Sequence, residues 1–459
     1  MSQYWGSGIG RRTVAAVVVA LLVTTVSVGA FAAPAGADGA PVDDYGTLDS
    51  VTYLDGCATI DDGGVYVLKQ DVSAVTGDCF RVTADGVTLL AAGHTVAADD
   101  ATGAAVVAAD VSGLRIEGFA FDGFRTGVSL AGVEDARVDG VSVRNTSGDG
   151  VRVVDSVDVT VEGGGVTGAD GHAVRVVDSE AVGVADAALV NNTGSGVAVR
   201  RSLATTVVGS RIADNGGMGV RVEEVPRESA PTAAVVGPPS WLLSALGESG
   251  LAGPRERAGP PETPDRDPLR VANNSFENNR YEGVLVKNAA GAVVSDNRVV
   301  GATDGIHLID AAAATVAGNN VSGSTDDGIV LARVDDSTVS GNVAAGNGND
   351  GLYLIGSGND VADNSLADNG DDGADLDGGA NNTLVSNRAT GNVDDGIYLR
   401  ESDGNVVVDN ALHDNADDGF DVRGSTSNAV YNNSACGNAN HDVQVRSGVD
   451  GNDVHDNDC

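Results

Sequence analysis

Two rows of side chains recur every 22 or 23 residues in the C-terminal half of the chain, and they hold the residue types that work on a sugar would need. The first row reads His307, Val330, Tyr353, Asp375, Tyr398, Asp421 and Gln444; the second reads Ile309, Ala332, Ile355, Asp377, Arg400, Arg423 and Arg446. The residues between them are apolar, so period-two alternation turns both rows to the same outer surface. Three carboxylates, Asp375, Asp377 and Asp421, thereby approach Arg400 and Arg423 between two tyrosines. Paired carboxylates suit general acid and base work on a glycosidic bond, arginine suits an acidic sugar, and tyrosine offers a flat surface for a ring. Asp375, Asp377, Asp421 and Arg400 are the candidates for catalysis, and Tyr353, Tyr398, Arg423 and His307 for saccharide contact. The plainer account is that Asp377 and Arg400 pair across neighbouring strands.

A second set of acids precedes glycine at the same interval: Asp327, Asp350, Asp372, Asp395 and Asp418. Stacked carboxylates are hard oxygen ligands and could hold Ca²⁺ between repeats. Asp before Gly is also good turn chemistry, and neither the EF-hand nor the nonapeptide calcium repeat occurs.

These positions depend on one periodic scaffold. The Asp-Gly starts at Gly305, Gly328, Gly351, Gly373, Gly396 and Gly419 step by 22 or 23, and weaker copies run back through Gly219, Gly196, Ala173, Gly150, Gly127 and Ala104. A fixed period of this length means that each unit buries its apolar face against its neighbours, which is a solenoid. Each unit holds three short extended stretches, such as Ile397 to Arg400, Asn405 to Val408 and Ala411 to His413, parted by Asp, Asn and Gly turns. The expectation is an all-β, right-handed parallel β-helix of about fifteen rungs. An asparagine register at Asn274, Asn297, Asn320, Asn342, Asn364, Asn387, Asn410 and Asn433 is read as a structural ladder of stacked amides.

The ends and the middle are marked separately. Arg11-Arg12, an apolar run from Val14 to Phe31 and small residues at Ala35 and Ala37 read as an export signal over 1–37, with a hint of the twin-arginine route. Residues 38–98 are assigned to an N-terminal cap and first rung, 99–225 and 269–459 to the two runs of rungs. The segment 226–268, with nine of the eleven prolines and a short helix expected at Trp241 to Leu246, is assigned to a looped-out insertion. Cys57 and Cys79 are 22 apart, Cys436 and Cys459 are 23 apart, and residues one repeat apart lie within disulfide reach on adjacent rungs. Two disulfides imply an oxidising compartment, extracellular or at the cell surface. Once the signal is removed, no stable membrane span is expected.

Acidic residues outnumber basic ones 66 to 27 for a net charge of -39, and Lys69 and Lys287 are the sole lysines. An Asp-rich, Lys-poor surface disperses protein at high salt, and no basic stripe is read that could meet nucleic acid.

Cys57-Ala-Thr-Ile60, Gly64-Val-Tyr-Val-Leu68, Asp71, Cys79 and Gly93-His94-Thr95 resemble the opening of exported haloarchaeal β-helix proteins. The Asp-Gly-Ile-Tyr-Leu and Gly-Asn repeats are similar to those of the pectin-lyase-like superfamily, and within it to NosD-type repeats. The superfamily resemblance implies that saccharide lies along the first strands of the rungs. The NosD resemblance implies an accessory role in copper-site assembly, although Met218 is the one methionine beyond the start and the six histidines are scattered. Three readings follow: an exported, salt-adapted surface for binding polysaccharide or envelope polymers, a lyase or hydrolase acting on acidic glycans, and a NosD-type accessory protein. Whether the chain turns over a substrate stays open.

Overall fold

A computed structural model describes residues 51–100, 102–223, 268–446 and 451–459, all within one unit spanning Leu48–Cys459. The export signal, most of the Pro-rich insertion and its expected helix lie outside the described residues.

The described chain coils through three sheets, and every strand pairs in parallel with its copy in the next rung. The first sheet has 16 strands from Ala58–Ile60 to Val443–Val445, the second 17 from Thr52–Leu54 to Asp453–His455, and the third 15 from Val72–Val75 to Ser434–Cys436. This is a right-handed parallel β-helix of about fifteen rungs. Among the described residues there is no helix, hence none long and apolar enough to cross a membrane. Two rungs rather than one precede residue 99: the strands Ala58–Ile60, Gly64–Leu68 and Val72–Val75, then Phe80–Val82, Val87–Leu90 and Thr95–Ala98.

From Ala104–Ala109 onward the strands are three to six residues long because an αL residue closes nearly every one. Between the second and third sheets this position is filled in successive rungs by Asn273, Asp296, Gly318, Gly341, Asp363, Ser386, Asp409 and Asn432, all with φ between 55° and 65°. Glycine adopts that conformation without a Cβ clash, and Asp and Asn tolerate it better than other side chains. Here lies much of the reason for the chain's richness in Asp, Asn and Gly.

Inside the coil, alternate residues of nearly every strand are buried Val, Leu, Ile or Ala, with the bulky Phe80, Phe119, Phe121 and Phe124 gathered near the N-terminal end. The corners are held by stacked amides. Asn342 donates its backbone N–H and its Nδ2 to Asn364 Oδ1, both at 2.9 Å, while Asn364 donates likewise to Asn387. Each Nδ2 also reaches a carbonyl of the preceding rung, as Asn364 does to Val339 at 2.9 Å, so buried polar groups are satisfied in both directions. The ladder expected from the sequence forms with one correction: its member after Asn297 is Asn319, not Asn320. Two further amide ladders run alongside, one through Asn359, Asn382, Asn405 and Asn428, the other through Asn347, Asn369, Asn392 and Asn415. Cys57 is joined to Cys79 and Cys436 to Cys459, with Cα separations of 4.5 and 4.8 Å, so each bond ties adjacent rungs.

Candidate functional site

The first sheet carries both regions where chemistry is concentrated. Pairing places Tyr353, Asp375, Tyr398, Asp421 and Gln444 in one column on successive strands, and Asp377, Arg400 and Arg423 in the next. The three carboxylates are unlike one another. Asp377 Oδ2 accepts Arg400 NH2 at 2.7 Å and the Tyr353 hydroxyl at 3.3 Å. Asp421 is fully buried, because Arg423 Nε lies 2.6 Å from its Oδ2 and Arg446 reaches it with Nε and NH2 at 3.0 and 2.8 Å. An outward position is therefore not an exposed one here: long guanidinium side chains fold back over the shorter carboxylate. With both oxygens engaged by arginine, Asp421 is not free to act as a base.

Asp375 differs again. It is 7% exposed, its Oδ1 has no hydrogen-bond partner, and Arg400 NH2 stands 3.7 Å from its Oδ2. Burial pushes its carboxyl up to about 6 against the opposing pull of Arg400. Above this group, Arg423 lies over the Tyr398 ring at 4.9 Å and Arg400 at 5.9 Å, leaving the tyrosine face covered by cations. His307 is not part of the patch; it sits three strands before Asp375 and bonds Asp304 Oδ2 through Nδ1 at 3.1 Å.

The aspartates expected as calcium ligands cap the backbone. Asp327, Asp350, Asp372, Asp395 and Asp418 are all buried, and each Oδ1 accepts the backbone N–H of its counterpart one rung on, such as Asp395 N–H to Asp372 at 2.7 Å. Desolvation raises Asp327 and lifts Asp350 to about 8, Asp372 to about 9 and Asp395 to about 7. Asp327, Asp372, Asp395 and Asp418 also belong to groups of three acids with one oxygen from each lying within 4.8 Å of the others. The same column begins earlier with Asp149 and His172. His172 Nδ1 accepts the Ser195 N–H at 3.0 Å, which assigns the ring proton to Nε2, and burial lowers its pKa.

One charged feature was not read from the sequence. In the N-terminal half, the outward column of the first sheet runs Arg81, Val107, Ser129, Arg152, Arg175, Ala198 and Arg221, in strict register. Arg125 and Arg200 flank it, and the column itself contains no acid. Arg81, Arg125, Arg152 and Arg200 are exposed; Arg175 and Arg221 are half-buried. A groove of about 560 Å³ opens between Asp78, Val107, Arg125, Ser129 and Arg152. A second, of about 230 Å³, lies between His172, Arg175, Arg200, Arg221 and Glu223. Several arginines have acidic neighbours, among them Arg175 with Asp149 at 3.7 Å and Arg221 with Glu223 at 2.8 Å. The expectation that the chain has no basic stripe is thus corrected. The signal was available: counting two residues past Gly150, Ala173 and Gly219 lands on Arg152, Arg175 and Arg221.

Comparison with known proteins matches the same regions. A family model described as right handed beta helix region matches residues 264–366 and 304–459. One described as periplasmic copper-binding protein (NosD) matches residues 59–227. No curated protein matches the chain in sequence. Among solved structures, the periplasmic alginate epimerase AlgG is 14% identical, with 77% of this chain and 78% of that chain covered and a TM-score of 0.42. The A-module of the mannuronan C-5 epimerase AlgE4 of Azotobacter vinelandii is 13% identical over 86% and 91%, with a TM-score of 0.34. An alginate lyase from Paenibacillus sp. str. FPU-7 is 13% identical over 70% and 94%, with a TM-score of 0.33.

Proposed function

We propose that this chain is an exported β-helix protein that binds acidic polysaccharide along the N-terminal half of its first sheet. The observation that carries the reading is the arginine column at Arg81, Arg152, Arg175 and Arg221, in a protein whose net charge is -39. Guanidinium groups held on strands about 4.8 Å apart form a rigid ladder, and a linear polymer with a carboxylate on each sugar can meet several of them at once. Each exposed contact contributes only about 0.2–1 kcal/mol, so affinity comes from the repeat and not from a single pair. At molar salt the Debye length falls to about 3 Å, which screens the overall repulsion between acidic protein and acidic polymer more than direct contacts. Export is supported by the two inter-rung disulfides and by the match to a model described as periplasmic.

Retention on immobilised polyuronate and on a neutral glucan, both at about 1 M salt, tests the proposal. Wild type should be held by the polyuronate alone, and Arg152→Ser/Arg175→Ser should elute earlier. Equal retention on the two matrices would remove it.

A second reading, turnover of an acidic glycan, rests on Asp375. A buried carboxyl with a pKa near 6 beside Arg400 has the properties of a general acid. The copper role does not fit the residues in the matched region. His94 precedes a strand of the third sheet, Met218 lies two rungs from His172, and Cys79, the cysteine of that region, is bonded to Cys57 outside it.

A further inference from the structure

The unbroken run of backbone-capping aspartates starts at Asp304, and the rung before it holds a glutamate. Glu282 occupies the position that aspartate fills in later rungs, since the Gly219 N–H meets the Glu282 carbonyl as the Gly283 N–H meets that of Asp304. Its side chain is one methylene longer, and no hydrogen bond joins it to the Asp304 N–H, whereas Asp304 Oδ1 does cap Asp327 at 3.3 Å. Glu282 Oε2 is instead buried without any hydrogen-bond partner. Close by, Asp304 Oδ2 stands 3.1 Å from His307 Nδ1, both side chains being mostly buried, at 12% and 19% exposure. One donor atom from each of Glu282, Asp304 and His307 lies within 4.8 Å of the other two.

Two carboxylates facing each other with one oxygen unpaired are costly in a desolvated pocket. A cation between them removes that cost. We propose that Glu282, Asp304 and His307 form a binding site for a borderline divalent cation of the zinc class. The donor set makes the choice: Ca²⁺ and Mg²⁺ prefer all-oxygen shells of six or more, whereas an imidazole nitrogen with carboxylate oxygens suits Zn²⁺. In a tetrahedral zinc shell neighbouring donors stand about 3.3 Å apart, close to the Asp304–His307 separation already present. Closing the Glu282 side needs a movement of its flexible side chain alone. Three protein ligands leave a fourth position for water. The site lies beyond the arginine column, with His307 on the strand after that of Leu285 and Glu282 and Asp304 just before those two strands, and does not depend on the glycan reading.

Zn²⁺ titration of the metal-free mature chain by calorimetry, in millimolar Mg²⁺ to occupy the many surface aspartates, tests the proposal. One Zn²⁺ per chain should bind, with affinity at least tenfold weaker in Glu282→Gln and in His307→Asn, both of which keep hydrogen-bonding capacity. The thermal midpoint should rise with Zn²⁺ in wild type and in Asp395→Asn, but not in His307→Asn. Co²⁺ substitution should give the visible absorption of a four-coordinate nitrogen and oxygen shell. Absence of a saturable site, or wild-type binding by His307→Asn, would overturn it.

Discussion

Replacing Asp372 by asparagine should stabilise the protein, which is the reverse of the usual result for a buried, hydrogen-bonded side chain. Asp372 is 3% exposed, its Oδ1 accepts the Asp395 N–H at 2.7 Å, and burial raises its carboxyl from 3.8 to about 9. At pH 7 the folded chain holds a proton there that the unfolded chain has released. Against an ordinary value of 3.8, at 1.36 kcal/mol per pH unit, that uptake costs about 4 kcal/mol. Asparagine keeps the Oδ1 acceptor without a charge, as the neighbouring amide ladders do throughout the coil. Part of the gain is spent on placing its two N–H donors, so a net stabilisation of about 2 kcal/mol is expected. The sign with pH follows from the same shift. A raised acid binds more protons folded than unfolded, so its stability is fully present below about 4 and is lost as pH rises toward 9. Urea midpoints at pH 5, 7 and 9 should fall for wild type and fall less steeply for Asp372→Asn. Because solenoids need not unfold in one step, exchange protection of peptides across residues 370–400 should be followed in parallel. A variant weaker than wild type at pH 7, or an unchanged pH slope, would refute the reasoning.

Three other outcomes follow from the same contacts. Asn364→Ala removes the acceptor of two Asn342 donors and the donors to Val339 and Asn387, and at about 1 kcal/mol per bond should cost about 4 kcal/mol in chemical denaturation. Cys436→Ser opens a 23-residue loop and should cost about 3 kcal/mol, read as faster hydrogen exchange confined to the last rungs. If Asp375 is a general acid, release of reducing ends or unsaturated uronate from acidic glycans should fall with a pKa near 6 and be abolished in Asp375→Asn, while Asp421→Asn loses stability through its two stranded arginines.

The fold was legible because one physical requirement repeats: each rung needs inward apolar residues and a left-handed turn at fixed positions. The cysteine spacings carried the disulfides for the same reason. The slip from Asn319 to Asn320 shows the limit of period alone. Steps of 22 and 23 are both allowed, so adjacent asparagines are indistinguishable by counting, whereas alternation chooses Asn319, two residues before the inward Val321, as Asn297 is before Val299. The arginine column was equally readable, but of its rungs only that of Arg152, with Asp149-Gly150, carries the Asp-Gly start that marks the later copies. Burial of Asp421 and the orphaned oxygen of Glu282 were not readable. They depend on how long side chains fold across neighbouring rungs, which spacing does not encode.

Hydrogen-exchange footprinting of the mature chain with and without soluble polyuronate, at about 1 M salt, tests the central claim most directly. The account predicts new protection centred on the strands Val151–Val154, Val174–Val177 and Val220–Glu223, lost in Arg152→Ser/Arg175→Ser. Protection confined to Leu352–Ile355 through Phe420–Arg423, or none at all, would contradict it.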